Sequence, residues 1–258
     1  MPELPEVETV VRELQHSLIG KSFRHIITTR DNIREPIPDL SEFEGKKIKS
    51  VTRRAKYIVI NDKLVIHLGM SGKIIIDKPQ TRKKHDHVIF ELSSGEEMVF
   101  NDARRFGLVT LKKPELFNHL GPEPFDEAFN EKYLKDTLSR RKGPVKVAIM
   151  DQELVVGVGN IYAAEALFRT GINPKTPANK VKKLPELIKN IRAVLAEAIE
   201  SGGSTLRDYV RSSGDLGYFQ HSHAVYDRKG KPCVKCKTNI EKITQGGRST
   251  FYCPKCQK

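Results

Sequence analysis

Two Cys-x-x-Cys pairs, Cys233-Val234-Lys235-Cys236 and Cys253-Pro254-Lys255-Cys256, stand near the end of the chain with sixteen residues between them. Four thiolates at that spacing close a tetrahedral zinc site, and with every position filled by protein the metal is structural. A disulfide pair or a thiol redox centre would use the same residues. The N-terminus is acidic and amphipathic, unlike an export signal. A chain without such a signal is expected in a reducing, cytoplasmic compartment, where disulfides are disfavoured. The stretch from 227 onward is therefore read as a small metal-held module. From Arg228 to Lys258 it carries nine Lys or Arg against one acidic residue, Glu241. Zinc with four thiolates subtracts only two charges, so the module still presents a basic face suited to phosphate.

The same bias runs through all 258 residues: 45 Lys+Arg oppose 32 Asp+Glu, a net +13. That excess points to a polyanionic partner, nucleic acid first and an anionic membrane surface second. No apolar run approaches the ~18–20 residues of a membrane span, which excludes an integral helical membrane protein.

The hydrophobic pattern changes along the chain. Leu4, Val7, Val11, Leu14 and Leu18 recur at helical steps, predicting an amphipathic helix over about 3–19 that ends near Gly20. From Phe23 to Lys112 short β-branched runs follow: 23–29, 48–53, 57–60, 64–68, 73–76, 88–92, 98–101 and 108–111. Asn61-Asp62 and Ser94-Gly95 fall between neighbouring runs as hairpin turns. This predicts an antiparallel sandwich or barrel. Turn formers at 113–130 read as a linker. Helical patterning then covers 131–138, 144–151, 160–170, 184–201 and 204–211. A hairpin at 245–252 lies between the cysteine pairs. The expected domains are 1–112, 131–226 and 227–258, joined by 113–130. The fold class is α+β and multidomain.

The chain begins Met1-Pro2-Glu3. Removal of Met1 would leave Pro2 as a free secondary amine. Attack by that amine on an electron-poor carbon yields an iminium ion, an electron sink for elimination. An α-amino group titrates near ~7.7–8.0 and a lysine near ~10.4, so far more of the terminus is free base at pH 7. Glu3 stands beside it as a proton donor. A helix N-terminus favours an ionised carboxylate, so burial or a bound ligand must offset that preference if Glu3 is to act as an acid.

Val155–Tyr162 has glycines at 157 and 159 but no third glycine, no parallel-sheet context and no Gly-Lys-Ser/Thr ending. It is neither a Rossmann nor a P-loop signature. A glycine turn entering a helix at Asn160 offers N–H groups to a DNA phosphate instead. Asn101–Gly107 sets Arg104 and Arg105 beside Phe106, and His67–Gly72 places Met70 on a glycine-flanked turn. Apolar tips on polar loops suit wedges that unstack a kinked duplex, although core packing would use the same side chains.

Taken in order, these segments resemble bacterial formamidopyrimidine-DNA glycosylase. The likeness runs through PELPEVET (2–9), RRAKY (53–57), HLGMSG (67–72), KHDH (84–87), DARRFG (102–107) and HLGPEP (119–124). It continues through VVGVGNIY (155–162), GGSTLRDY (202–209), GYFQ (217–220) and RSTFYCPKCQK (248–258), essentially the whole chain. The resemblance implies an N-terminal β-sandwich with flanking helices, a helix–two-turn–helix domain and a zinc finger. It implies a monomer that binds double-stranded DNA containing oxidised bases and needs one structural Zn²⁺. Pro2 is then the Schiff-base nucleophile, Glu3 the acid, and Lys56 a partner in proton transfer and phosphate binding. His85, Arg104, Arg141, Asn160 and Arg248 fall at DNA-contacting positions, with Arg248 also linked to the second elimination. Met70, Arg104 and Phe106 match the wedge behind the extruded base.

The loop before Gly217 reads Ser212-Ser213-Gly214-Asp215-Leu216, where some members of that family carry a lysine near Asp215, so base preference is less constrained than catalysis. Arg141 stands where lysine also occurs. The related endonuclease VIII type, which prefers oxidised pyrimidines, begins PEGPEI, so Leu4 and Val7 favour the purine branch. A non-catalytic binder of damaged DNA is the alternative from another class.

Overall fold

The computed structural model describes residues 2–204 and 218–258. The chain forms two compact units: the first holds residues 2–116 with 201–204 and Tyr218, and the second holds 117–200 and 219–258.

In the first unit, helix α1 spans Leu4–Leu18. Its start is fixed by a capping box, in which the Glu3 side chain accepts from the Glu6 N–H while the Glu6 carboxylate accepts from the Glu3 N–H. Such reciprocal bonds satisfy donors that a helix terminus otherwise leaves open. Pro5 sits in the first turn, where its missing N–H costs nothing. Leu4, Val7, Val11, Leu14 and Leu18 are all buried, as the spacing predicts, and Val10 joins them. Gly20, at φ 92°, turns the chain away after the helix.

Eight strands follow: β1 (Phe23–Thr28), β2 (Val51–Arg54), β3 (Tyr57–Ile60), β4 (Leu64–His67), β5 (Lys73–Asp77), β6 (Asp86–Leu92), β7 (Glu97–Asn101) and β8 (Leu108–Leu111). They form two four-stranded sheets, ordered β1-β6-β7-β5 and β2-β3-β4-β8. Every pairing is antiparallel. Phe90 and Phe100 from one sheet, Ile58 and Ile66 from the other, and the apolar face of α1 share one core. This is the predicted sandwich.

Asn61 and Asp62, both at φ near 50° (52° and 54°), make the tight β3–β4 turn; short polar side chains tolerate that region best after glycine. The same Asn61 explains why β2 starts at Val51 rather than at 48. Its Oδ1 accepts from the N–H groups of Lys49 and Ser50, and its Nδ2 donates to the Lys47 carbonyl. A side chain has taken the bonds that a strand would have used.

In the second unit, α2 (Glu131–Ser139), α3 (Val145–Ile149), α4 (Asn160–Thr170) and α5 (Leu184–Glu200) match the helical pattern, with α3 shorter than the predicted 144–151. The helix expected at 204–211 lies almost wholly outside the described residues. Strands β9 (Glu241–Gln245) and β10 (Arg248–Tyr252) form the hairpin between the cysteine pairs. It begins four residues before the expected 245. Phe251, Cys233 and Cys253 pack with Ala164 and Phe168 of α4 in a second small core. None of the described helices is long and apolar enough to cross a membrane.

Candidate active site and nucleic-acid interface

In the first unit, Pro2 is buried and Glu3 is only 3% exposed at the head of α1. The rigid helix, pinned by its apolar face, keeps the terminus from fraying. Glu6 does more than cap. Its Oε2 holds the Glu3 N–H at 2.8 Å and its Oε1 holds the Ser204 N–H at 2.8 Å. One buried carboxylate thus joins the terminus to the chain at Gly203–Ser204. Gly203 is at φ +80°, and a Cβ there would meet Glu6 Oε1 at 3.0 Å.

Lys56, 6% exposed, lies in the β2–β3 turn beside Ala55, which is at φ 53°. Arg53 ties that turn to α1: its Nε donates to Glu8 Oε2 at 2.9 Å and its Nη1 to the Ala55 carbonyl at 2.9 Å. The helix bearing Pro2 and Glu3 and the turn bearing Lys56 are therefore linked through one guanidinium. Next to Lys56, the Tyr57 ring packs on the His67 ring, with centroids 4.8 Å apart. Burial, and then the charges of Lys56 and Arg34, push the His67 pKa down to about 4. The Gly69 N–H donates to His67 Nδ1 at 3.0 Å, which places the proton of the neutral ring on Nε2.

The proposed wedge residues meet on two adjoining loops. A Cβ on Gly69 would lie 2.3 Å from the Phe106 carbonyl carbon, so only glycine allows this approach of Met70's turn to the 102–107 loop. Asp102, fully buried, organises both loops. Its Oδ1 accepts from Ser71 Oγ at 2.7 Å and from the Arg104 N–H at 3.2 Å, and its Oδ2 accepts from the Gly107 N–H at 2.7 Å. Arg104 lies over the Phe106 ring, 5.1 Å from its centroid, and Phe106 is 46% exposed. An exposed aromatic on a loop braced this way is no core residue, so the packing alternative fails for Phe106. His85 adjoins the same loop, its carbonyl accepting from the Asp102 N–H at 3.0 Å.

The second unit gathers the remaining cations. Arg141 and Arg248 line one concavity of about 500 Å³ together with Pro144, Val147 and Gly246. Arg141 Nη1 also donates to Asp151 Oδ2 at 2.5 Å. Asn160 opens α4 after Gly159, and Gln152 shapes the glycine turn by accepting from the Gly157 N–H and donating to the Met150 and Val158 carbonyls. Behind Asn160 lies Lys146, fully buried and bonded to the Asn160 side chain and to Thr250 Oγ1. Glu165, also fully buried, accepts from the N–H groups of Ala224, Val225 and Tyr226 at 2.8–3.0 Å and so anchors the chain entering the cysteine module.

The four cysteine sulfurs lie within 4.8 Å of one another. The Cys233–Cys256 and Cys236–Cys253 separations are 3.9 and 3.4 Å. Zinc about 2.3 Å from each of four sulfurs sets them roughly 3.8 Å apart, whereas a disulfide needs about 2.05 Å. The donor set fits one structural Zn²⁺ held by Cys233, Cys236, Cys253 and Cys256.

The sequence reading missed Glu6, Asp102, Lys146 and Glu165 as site-building residues. Glu6 was legible as the fourth member of a capping box; the other three are single charges whose burial no local pattern announces.

Three family descriptions match in order: the formamidopyrimidine-DNA glycosylase N-terminal domain over residues 1–109, its H2TH domain over 120–210, and the zinc finger found in FPG and IleRS over 230–258. Formamidopyrimidine-DNA glycosylase of Dinoroseobacter shibae is 45% identical with both chains wholly covered. That of Rickettsia africae is 45% identical over 100% of this chain and 99% of its own. The crystal structure of the MutM (Fpg) protein from Thermus thermophilus superposes with a TM-score of 0.89 at 38% identity, covering 99% of this chain and 98% of that one. Lactococcus lactis Fpg in complex with DNA containing an abasic site gives 0.90 at 32% identity over 99% of each. With matches of this extent over the whole chain, the protein belongs to the formamidopyrimidine-DNA glycosylase family.

Proposed function

We propose that this protein excises oxidised purines, 8-oxoguanine and formamidopyrimidines, from duplex DNA and then cuts the strand on both sides of the sugar. The observation that carries the reading is the head of α1. Pro2 and Glu3 are buried there, and the Glu8–Arg53 pair ties them to the turn presenting Lys56. Residues 1–112 form the catalytic domain, 113–130 the linker, 131–226 the helical DNA-binding domain and 227–258 the zinc finger.

The damaged nucleotide leaves the stack, a step a lesion makes less costly. Phe106, Met70 and Arg104 fill the vacated space. The Pro2 nitrogen attacks C1′ as the base departs with the glycosidic electron pair, and the proton the amine gives up neutralises the departing base. Glu3 protonates the sugar ring oxygen, which opens the ring and leaves an iminium at Pro2. Loss of a C2′ proton expels the 3′ phosphate, and a second elimination, assisted by Arg248, expels the 5′ phosphate. Water then hydrolyses the iminium and frees Pro2. Lys56 serves proton transfer and binds phosphate near the lesion, while His85, Arg141 and Asn160 hold the backbone. Zinc held by Cys233, Cys236, Cys253 and Cys256 would give the hairpin bearing Arg248 a rigid fold.

The test is borohydride trapping of untagged protein on a duplex with one 8-oxoguanine opposite cytosine, with the adduct mapped by mass spectrometry. An adduct at Pro2 is expected. Binding without any adduct, with the terminus confirmed free, would leave a damage-binding protein instead.

A further inference from the structure

Lys146 is a lysine with no exposed surface, yet no step of the reaction uses it. It lies on α3, and its ammonium reaches two other elements. It donates to Asn160 Oδ1 at the first position of α4, and to Thr250 Oγ1 of β10 at 2.9 Å, with the Ser249 carbonyl 3.5 Å away. Thr250 is itself fully buried. Burying an ammonium is costly unless its protons all find acceptors, and replacing such a group by apolar side chains is often neutral for stability. Stability alone is therefore a weak reason for a charge here.

The partners give a better one. An ammonium on Oδ1 fixes the Asn160 amide so that its two Nδ2 protons point away from Lys146. The other acceptors lie one and two residues after Arg248, on the strand that carries it. We propose that Lys146 is a positioning residue, holding the Asn160 amide and the Arg248-bearing strand in one phosphate-binding arrangement and adding a buried positive charge behind Asn160. This rests on the reading that Asn160 and Arg248 contact the DNA backbone. The charge is worth more there than at the surface, because little solvent screens it.

The experiment is a double-mutant cycle on the zinc-loaded full chain, read as affinity for a duplex bearing a tetrahydrofuran abasic site. N160A, K146M and the double variant are compared at one salt concentration, with zinc content and Tm followed in parallel. Each single variant is expected to bind roughly ten- to a hundredfold more weakly, the scale of a charge-assisted hydrogen bond. The double variant is expected to be no weaker than the worse single, because Asn160 without Lys146 is already misplaced. Effects that multiply, or a K146M protein of lower Tm but wild-type affinity, would overturn the proposal and leave Lys146 a strut. Wild-type affinity for N160A would overturn the underlying reading of Asn160 and the proposal with it. Should K146M fail to fold, T250V keeps the lysine and the Ser249 carbonyl and removes the nearer of its two hairpin acceptors, the hydroxyl. It is expected to weaken binding several-fold at one zinc per chain, and unchanged affinity would count against the proposal.

Discussion

Asp102 makes the sharpest target, because three hydrogen bonds to one buried carboxylate hold the two loops that bear the proposed wedge. In Asp102→Ala all three are lost, and the N–H groups of Gly107 and Arg104 compete for what remains. A bond to a charged group contributes about 1.5–3 kcal/mol, and an orphaned buried donor costs about 1–3 kcal/mol. The Arg104 N–H retains Ser71 Oγ at 3.2 Å, so its loss is partial. The sum is on the order of 4 kcal/mol, and at about 2–4 °C per kcal/mol for a chain of this size Tm should fall by roughly 10 °C. Asp102→Asn should cost far less, about 1–2 kcal/mol, because its oxygen can keep the Gly107 N–H while its amide donates to Ser71 Oγ. Urea or thermal denaturation of the free protein measures both. Function supplies the second reading. The wedge matters where a base must be extruded, so Asp102→Ala should slow excision of 8-oxoguanine more than cleavage of a preformed abasic site. Stability within about 0.5 kcal/mol of wild type for both variants, the range of an ordinary surface substitution, or equal slowing on the two substrates, would refute the reasoning.

Other outcomes follow from the same geometry. Pro2→Gly should lose most strand cleavage, as read on a gel, while its DNA affinity stays near wild type. Cys253→Ser should lose zinc, as measured by metal analysis, and DNA affinity with it; unchanged zinc content would remove the metal assignment. Glu6→Gln turns an amide donor toward either the Glu3 or the Ser204 N–H, so the yield of trapped adduct should drop several-fold; an unchanged yield would mean that the bridge does not position the terminus. Burial holds His67 and His223 near a pKa of about 4, against an ordinary 6.5. The unfolded chain takes up these protons below pH 6.5 and the folded chain only near 4. Their contribution to stability is therefore complete above about pH 6.5 and is lost as pH falls toward about 4, up to about 3 kcal/mol per histidine. His223→Gln should flatten the pH dependence of Tm in that window, and an unchanged slope would show that the ring is not held neutral.

What the sequence determined was everything carried by spacing. Steps of three and four between Leu4, Val7, Val11, Leu14 and Leu18 specify a helix because about 3.6 residues make a turn. Alternating β-branched runs with Asn61-Asp62 between them specify hairpins because those residues tolerate positive φ. The two cysteine pairs specify a metal because four sulfurs at that spacing can surround one ion. The N-terminal Pro-Glu suggests amine chemistry only in company with the motifs that follow it along the chain. Tertiary structure alone decided which charges are buried and what they hold. Arg53 linking Glu8 to the Ala55 carbonyl, Asp102 bracing the loop of Ser71 as well as its own, and Lys146 reaching Thr250 all join positions remote in sequence. A lone charge looks the same in a string whether it faces water or a cavity; only the fold removes the water, and only then does a single carboxylate or ammonium become a fixed point on which a site is built.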